Sequence, residues 1–420
     1  MAQSSRSYCG WVIFALNLLL VVYLSAPGLV PLAFSKKMLA YFNTSSSTLT
    51  YAMTCYFYSF GIFLIPVGLL IDRYPSQWII SLGTLIAGLG HVLLIQNSHL
   101  INMIIARGLI GLGATVGLSY AVKCLSDWFS PKKFALLLSI FISLKLFLMI
   151  ALGSILTQFL QFIAWKKIIF SYGLCSIPLA FLIIFTKHIA KKEPSFSAST
   201  NNIPWNQAIR QLFDSSQIWF IGATTGFFFG VLLVFVSKWS IPFFQTAYAI
   251  SAAKTSHFMI IFALGYFCGS IFFSYMSTSL RKRKMFVPWG ILTSALMLII
   301  IIYPPYLPIN SIIMISFLFG FAGAAGLLGY VIIHEQNIPE LTATAIASIN
   351  VFFALAIAFT DPLVDSFLQI EQIAKGTSTY SLSEFQISLF RIPLYVLFSF
   401  FFSLFIRETR AKQRIYRGNN

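Results

Sequence analysis

The chain has 420 residues, 58% hydrophobic and only 9% charged, and its 28 Lys and Arg against 11 Asp and Glu give a formal net charge of +17. Soluble domains carry about 25% charged residues, so a large soluble core is excluded and a multi-pass membrane protein is indicated. The cations sit in short loops between apolar runs, a placement that sets membrane orientation and argues against nucleic-acid binding.

A window of about 19 residues, the length that crosses a bilayer as a helix, finds twelve apolar spans. They lie near 10–34, 50–71, 77–96, 101–124, 134–157, 164–186, 216–240, 254–277, 285–303, 310–333, 342–368 and 386–406. The first run, Gly10 to Phe34, exceeds the roughly 7–15 residues of a signal-peptide core and reads as a retained span. Connections are short except for the polar stretch 187–215, which divides the spans six and six. The expected domains are a first bundle over 1–190, a linker over 191–215, a second bundle over 216–407 and a basic tail over 408–420. Within the linker, Trp205, Ile209, Leu212 and Phe213 recur at helical spacing, compatible with a surface-lying helix or with a solvated connector.

Loop charge sets the expected topology. With both termini cytoplasmic, that side receives Arg6, Arg73, Lys132, Lys133, Lys187, Lys191, Lys192, Arg210, the run Arg281 to Lys284, and Arg407, Arg410, Lys412, Arg414 and Arg417. The opposite side receives only Lys36, Lys37, Lys166, Lys167, Lys254 and Lys375. The positive-inside bias then places both termini in the cytoplasm. The five cysteines (Cys9, Cys55, Cys124, Cys175, Cys268) are scattered without a C-x-x-C pair, so neither a disulfide framework nor a metal site is expected. No phosphate-cradling loop or nucleophile motif occurs; neither enzymatic activity nor a cofactor is expected.

The halves repeat. An offset of 209 residues places Gly111 on Gly320, Gly117 on Gly326, Ser139 on Ser348 and Ile140 on Ile349. Residues 28–34 (GLVPLAF) resemble residues 239–245 (WSIPFFQ), setting Pro31 against Pro242. Two parallel repeats of six helices, joined by one longer connection, are the plan of the major facilitator superfamily. After the second span, Gly68-Leu-Leu-Ile-Asp72-Arg73 resembles that family's loop motif, departing from it at Pro75, Ser76 and Gln77. The resemblance implies a latch of Gly68, Asp72 and Arg73 at the cytoplasmic ends of spans two and eleven, with Asp72 facing a helix N-terminus or a neighbouring cation. The second-half copy, Gly269 to Lys284, keeps the basic run and lacks the Asp. Arg107-Gly-Leu-Ile-Gly111-Leu-Gly113, Trp128-Phe-Ser-Pro131-Lys132-Lys133 and Trp165-Lys-Lys-Ile-Ile-Phe170 resemble further segments of the first half of that family. The glycine–proline signature of its drug–proton antiporters is missing from span five, where Gly153 stands alone. Residues 55–74 and 123–137 look like segments of the phagosomal nutrient transporters of intracellular bacteria, which implies amino-acid or related nutrient uptake and a bacterial inner membrane.

A charge at bilayer depth costs several kcal/mol unless it faces protein or water. Arg107 in span four and Lys145 near the middle of span five are therefore candidates for holding an anionic group. Lys123, Lys238 and Arg391 lie near span ends, where snorkelling accounts for them. The second half supplies the acid. Asn350, Ala354, Ala358, Asp361 and Asp365 share one face of span eleven. Asp361 is either ion-paired with Lys238 or Arg391 or a titrating carboxylate. His91 and His257 read as packing residues, and His334-Glu335 as solvated loop, with a gate pair as the alternative. Gly111, Gly113, Gly117, Gly320, Gly323 and Gly326 are expected to allow close helix approach.

The expected function is a monomeric, proton-coupled importer of amino acids or similar nutrients by alternating access. Arg107 and Lys145 would orient the substrate carboxylate; Asn350 shares the face of Asp361, which would take the amine or the proton. The alternative is an organic-anion carrier or exporter in which Asp361 only neutralises a cation. A non-transporting receptor would carry a large extramembrane domain, of which these residues show none.

Overall fold

A computed structural model describes residues 2–28, 31–159, 163–190, 205–250, 252–303, 307–375 and 380–412. The linker residues 191–204, with Lys191 and Lys192, and the tail residues Arg414 and Arg417 lie outside them. Eleven described helices are long and apolar enough to cross a membrane, and a shorter apolar helix, Phe286–Ile302, takes the ninth place. We label these spans α1 (Cys9–Gly28), α2 (Ser46–Arg73), α3 (Ser76–Leu94), α4 (Leu100–Trp128), α5 (Lys133–Gly153) and α6 (Trp165–Phe185) in the first half. The second half comprises α7 (Ser216–Tyr248), α8 (His257–Leu280), α9 (Phe286–Ile302), α10 (Ile309–Gln336), α11 (Pro339–Ile370) and α12 (Leu382–Ser403). Trp205–Phe213 is helical and precedes α7.

Side chains of one stripe on each span pack into the bundle, while Trp11, Ile62, Ile101, Phe185, Tyr275, Trp289 and Phe359 stay exposed. A soluble protein would hide such residues, but hydrocarbon accepts them, and backbone polar groups are satisfied within the helices. The expected first span, 10–34, differs from what is found. Ala26-Pro27-Gly28 closes α1 with a 3₁₀ turn, and a separate helix, Pro31–Phe42, follows. Proline at a first helical position suits such a restart, because its missing N–H has no partner to lose there. Lys36 and Lys37 lie within that helix and made it look like loop.

Several spans depart from regular α-helix. Span α4 breaks at Thr115, whose hydroxyl donates to the Leu112 carbonyl at 2.6 Å. In the corresponding place of α10, Ala324–Leu327 forms a 3₁₀ turn. Span α7 carries π-helical turns at Gly222–Gly226 and Phe235–Trp239, the kind of irregularity that often marks functional positions.

The halves meet along α2 with α11 and α5 with α8. Gly61 faces Ala354, and a Cβ on Gly68 would stand 3.0 Å from the Thr344 Cα and 3.1 Å from the Ala347 Cβ. Between α5 and α8, Ser139 and Ser274 share a hydrogen bond, Ser270 donates to Ser143 at 3.0 Å, and Ser274 donates to the Ala135 carbonyl. Both described chain ends lie at one face of the bundle. Gly10 lies against Phe129, and the Arg407 and Arg283 amides donate to Gln217 and Glu408. We call this the terminal face and its opposite the outer face.

Candidate functional site

At the terminal face, Asp72 ends α2 and accepts three hydrogen bonds across the halves. The Ala343 N–H (3.1 Å), the Thr344 N–H (2.9 Å) and the Thr344 hydroxyl (2.7 Å) all donate to it. These N–H groups open the long helix of α11, just after the Pro339–Leu341 turn. The first amides of a helix lack intrahelical acceptors and carry the positive end of its dipole, so a carboxylate is well placed there. The Lys123 ammonium stands 3.7 Å from Asp72 and donates to the Ile71 carbonyl at 2.6 Å; snorkelling does not describe it. Arg73 follows Asp72 at the same helix end.

The second half has a counterpart built from other residues. Arg283 is buried and bonds Glu335 through Nη2 at 2.9 Å and Nε at 3.2 Å, and also donates to Ser277 and Thr278. Glu335 accepts from Thr409, and Glu408 accepts from the Arg283 and Lys284 amides at 2.8 and 2.9 Å. His334 and Glu335 are 6% and 8% exposed, which overturns the solvated-loop expectation. A buried carboxylate needs a cation, and Arg283 supplies it. His334 stacks on Phe134 of α5 with centroids 4.0 Å apart. His257, by contrast, is exposed and does not pack as a core residue, whereas His91 is buried and its Nδ1 lies 2.7 Å from the Ala87 carbonyl.

The four substrate candidates fall into different surroundings. Arg107, 2% exposed, donates to the Pro27 carbonyl at 2.9 Å and to the Met53 carbonyl at 3.2 and 3.3 Å, and lies over the Tyr56 ring at 5.1 Å. It ties the end of α1 to α2 and α4 through backbone oxygens, a use that sequence cannot display. Asn350 is also occupied: it accepts from the Tyr330 hydroxyl at 3.0 Å and donates to the Ile346 carbonyl at 3.0 Å. Lys145 differs. It lies near the middle of the helix Pro131–Phe159, half-buried, and no hydrogen-bonding or charged neighbour acts on it among the described residues. One turn before it, Phe141 packs edge-on against Phe14 of α1 at 5.4 Å, so Lys145 stands on the α1 side of α5.

Asp361 sits near the outer end of α11, with its Oδ1 2.7 Å from the Lys238 ammonium of α7. Lys238 also donates to the Thr50 hydroxyl of α2 at 3.3 Å and lies over the Trp239 ring at 4.9 Å. Of the two partners considered for Asp361, Lys238 is the one found. Arg391 instead sits over the Phe367 ring at 3.4 Å and donates to the Ile387 carbonyl.

The glycines divide in the same way. A Cβ on Gly111 would collide with the Tyr56 carbonyl, one on Gly113 with the Gly83 carbonyl, and one on Gly320 with the Phe262 carbonyl. Gly117, Gly323 and Gly326 meet side chains, at 3.4, 3.4 and 3.1 Å, and do not bring backbones together. Tight packing also lies on a ladder absent from the expectations: Gly222, Gly226 and Gly230 of α7 run along α11, where a Cβ on Gly226 would strike the Ile349 carbonyl. Its four-residue spacing was visible in the sequence.

Comparison with known proteins agrees with this architecture. A family model described as Major Facilitator Superfamily matches residues 14–360. An uncharacterized transporter, YybO, of Bacillus subtilis (strain 168) is 26% identical over 240 residues, 52% of this chain and 54% of its own length. The chain thus spans about half the length of that curated relative. Two crystal structures of a bacterial homologue of the human lysosomal transporter Spinster share the fold, each with a TM-score of 0.66. The inward-facing unoccupied form is 15% identical over 99% of both chains, and the inward-facing occupied form 14% identical over 96% of both.

Proposed function

Because this chain belongs to the major facilitator superfamily and is a multi-pass membrane transporter, we propose that it imports amino acids or similar small nutrients by proton-coupled alternating access. The observation that carries the reading is how charge is divided between the two halves. The first half holds a mid-depth ammonium, Lys145, with no described partner, and the second holds the carboxylate of Asp361. A zwitterionic solute presents the complementary groups. In this proposal Lys145 takes the substrate carboxylate, and the acids around Asp361 serve the amine or the proton. Arg107 and Asn350 shape the site from behind, Arg107 by fixing α1, α2 and α4 and Asn350 by fixing α11 to α10.

The proposed setting is a bacterial cytoplasmic membrane with both termini on the cytoplasmic side, as the loop charges favour. The Asp72 latch, the serine seam and the His334–Phe134 stack then close the cytoplasmic entrance. In this reading the conformer has its cytoplasmic entrance shut, unlike the two inward-facing structures. Alternation between such states requires the contacts of one face to exchange for those of the other.

The test is uptake by purified protein in liposomes under an imposed pH gradient, with a labelled amino-acid mixture. Accumulation should collapse with a protonophore and be lost in Asp361→Asn. In Lys145→Gln the half-saturating concentration should rise by tenfold or more, since a hydrogen bond to a charged group contributes roughly 1.5–3 kcal/mol. Gradient-driven uptake that persists in Asp361→Asn would remove Asp361 from the transport cycle, and uptake indifferent to the protonophore would sink the proton coupling. The Lys238–Asp361 pair gives specific support to a second reading, an organic-anion carrier, because it neutralises the acid. Uptake of carboxylates but not amino acids would favour it.

A further inference from the structure

Among the described side chains around Asp361, the outer end of the second half holds Asp361, Asp365 and Glu384 against Lys238 and Arg391. Asp365 lies one turn further along α11 and is 4% exposed. Gln369 donates to its Oδ2 at 3.0 Å, and Lys238, Asp361 and Thr50 all act on its carboxylate. Tyr380, preceding α12, stands within electrostatic reach of both Asp365 and Glu384. Glu384 is fully buried and accepts from the Ser381 amide at 3.0 Å in a capping box. The Arg391 guanidinium of α12 is turned to the Phe367 ring. The Lys238 ammonium is therefore shared between Asp361 and Asp365, and its contact is with Asp361 at 2.7 Å.

We infer that Asp365 is the proton-binding carboxylate of this cluster, while Asp361 remains the standing counter-ion of Lys238. The inference rests on the proton-coupled reading above and assigns the proton to one residue within it. Two like charges one turn apart on a helix repel, and the ammonium already offsets the first. Protonation at Asp365 removes the repulsion and leaves its carbonyl oxygen able to accept from Gln369. Protonation at Asp361 would instead break the 2.7 Å ion pair of Lys238, a costlier outcome for a partly buried cation.

A second observation points to a carboxylate that changes partners here. Trp239 packs its ring against the Lys238 ammonium, and its indole N–H, 5% exposed as a residue, is buried without an acceptor. Buried donors are nearly always satisfied; an unpaired one beside this cluster suits a carboxylate oxygen that arrives when Asp365 ionises. Thr50 belongs to the other half, so the charge state of the cluster bears on how the halves meet at the outer face.

The experiment is infrared difference spectroscopy of the full-length protein in lipid, acid minus alkaline buffer, read at the C=O stretch of a protonated carboxyl. The wild type should show one such band of this cluster. Asp365→Asn should abolish it, Asp365→Glu should keep it with a displaced pH midpoint, and the double variant Lys238→Gln with Asp361→Asn should retain it. Circular dichroism confirms that each variant is folded. A band that survives Asp365→Asn, or disappears in the double variant, overturns the assignment. The liposome assay separates this from the broader reading. A wild-type band without gradient-driven uptake refutes coupling yet leaves the proton at Asp365, whereas driven uptake with the band lost only in Asp361→Asn refutes Asp365 alone.

Discussion

Replacing Asp72 by Asn should open the terminal face. The carboxylate belongs to the first half and its three donors, two amides and one hydroxyl at 2.7 to 3.1 Å, belong to the second. The interaction therefore exists only while that face is closed. Hydrogen bonds to a charged acceptor contribute roughly 1.5–3 kcal/mol each, and an anion at a helix N-terminus about 0.3–1 kcal/mol, up to about 2 when partly buried. Asn in the same pose keeps one accepting oxygen but turns an NH₂ group toward donors and loses the charge. A loss of about 2–4 kcal/mol follows, which at 1.4 kcal/mol per decade is roughly a thirtyfold to several-hundredfold shift toward the open state.

Ser139 offers a reporter. It lies in the α5–α8 seam, 1% exposed, bonded to Ser274. With the native cysteines removed and Ser139→Cys introduced, alkylation by a small maleimide requires the seam to part. Its rate then follows the open population while opening is fast relative to labelling. Comparing the two backgrounds cancels the effect of the reporter substitution itself. Asp72→Asn should raise the rate by the factor above until opening is complete. An unchanged rate would show that Asp72 does not hold this face shut.

Two further outcomes follow from packing and charge. Gly226→Ala and Gly113→Leu should impair uptake and lower the melting temperature, because their Cβ atoms would meet backbone carbonyls. Gly117→Ala, whose Cβ would lie 3.4 Å from Leu24, should be tolerated or gain up to about 1 kcal/mol of helix propensity; equal damage at all three sites would refute the distinction. Arg283→Gln should cost about 3–5 kcal/mol by stranding buried Glu335, seen as a lower melting temperature. Adding Glu335→Gln should recover part of that loss, and no recovery would mean that the charge pairing is not what Arg283 contributes.

The spans were legible in the sequence because bilayer thickness fixes a length of apolar chain, a constraint that leaves few alternatives. Their ends were less so. The helix Pro31–Phe42 looked like loop because it carries two lysines and begins beyond a Pro–Gly turn, and charge in a window masks helicity. Arg107 looked like a substrate cation because sequence shows side chains and not the carbonyls of Pro27 and Met53 that its guanidinium reaches. Glu335 looked solvated because its partner, Arg283, lies two spans away in the chain. Lys238 was among the considered partners of Asp361, but choosing it over Arg391 requires knowing that α7, not α12, presents its cation to α11. The glycine ladder of α7 is different in kind. Its spacing is present in the sequence, but spacing alone does not say which helix the glycines face.

The two halves share a scaffold but not a way of using charge, and the difference is functional. Asp72 reaches across the interface to the start of α11, so its energy enters the balance between conformers. Arg283 and Glu335 occupy the related end of the second half, yet both belong to that half, with Glu408 and Thr409 completing the cluster. A contact present in every conformer cannot favour one of them. In the Ser139→Cys background, Arg283→Gln should therefore lower stability without changing the labelling rate per folded molecule, whereas Asp72→Asn should change labelling with little loss of fold. At the outer face the same distinction recurs within one residue. Lys238 pairs with Asp361 inside its own half and with Thr50 across the interface. Only the second of these contacts must break when the outer face opens, and it is the weaker one, between an ammonium and a neutral hydroxyl. The terminal latch is thus the stronger of these two contacts across the halves.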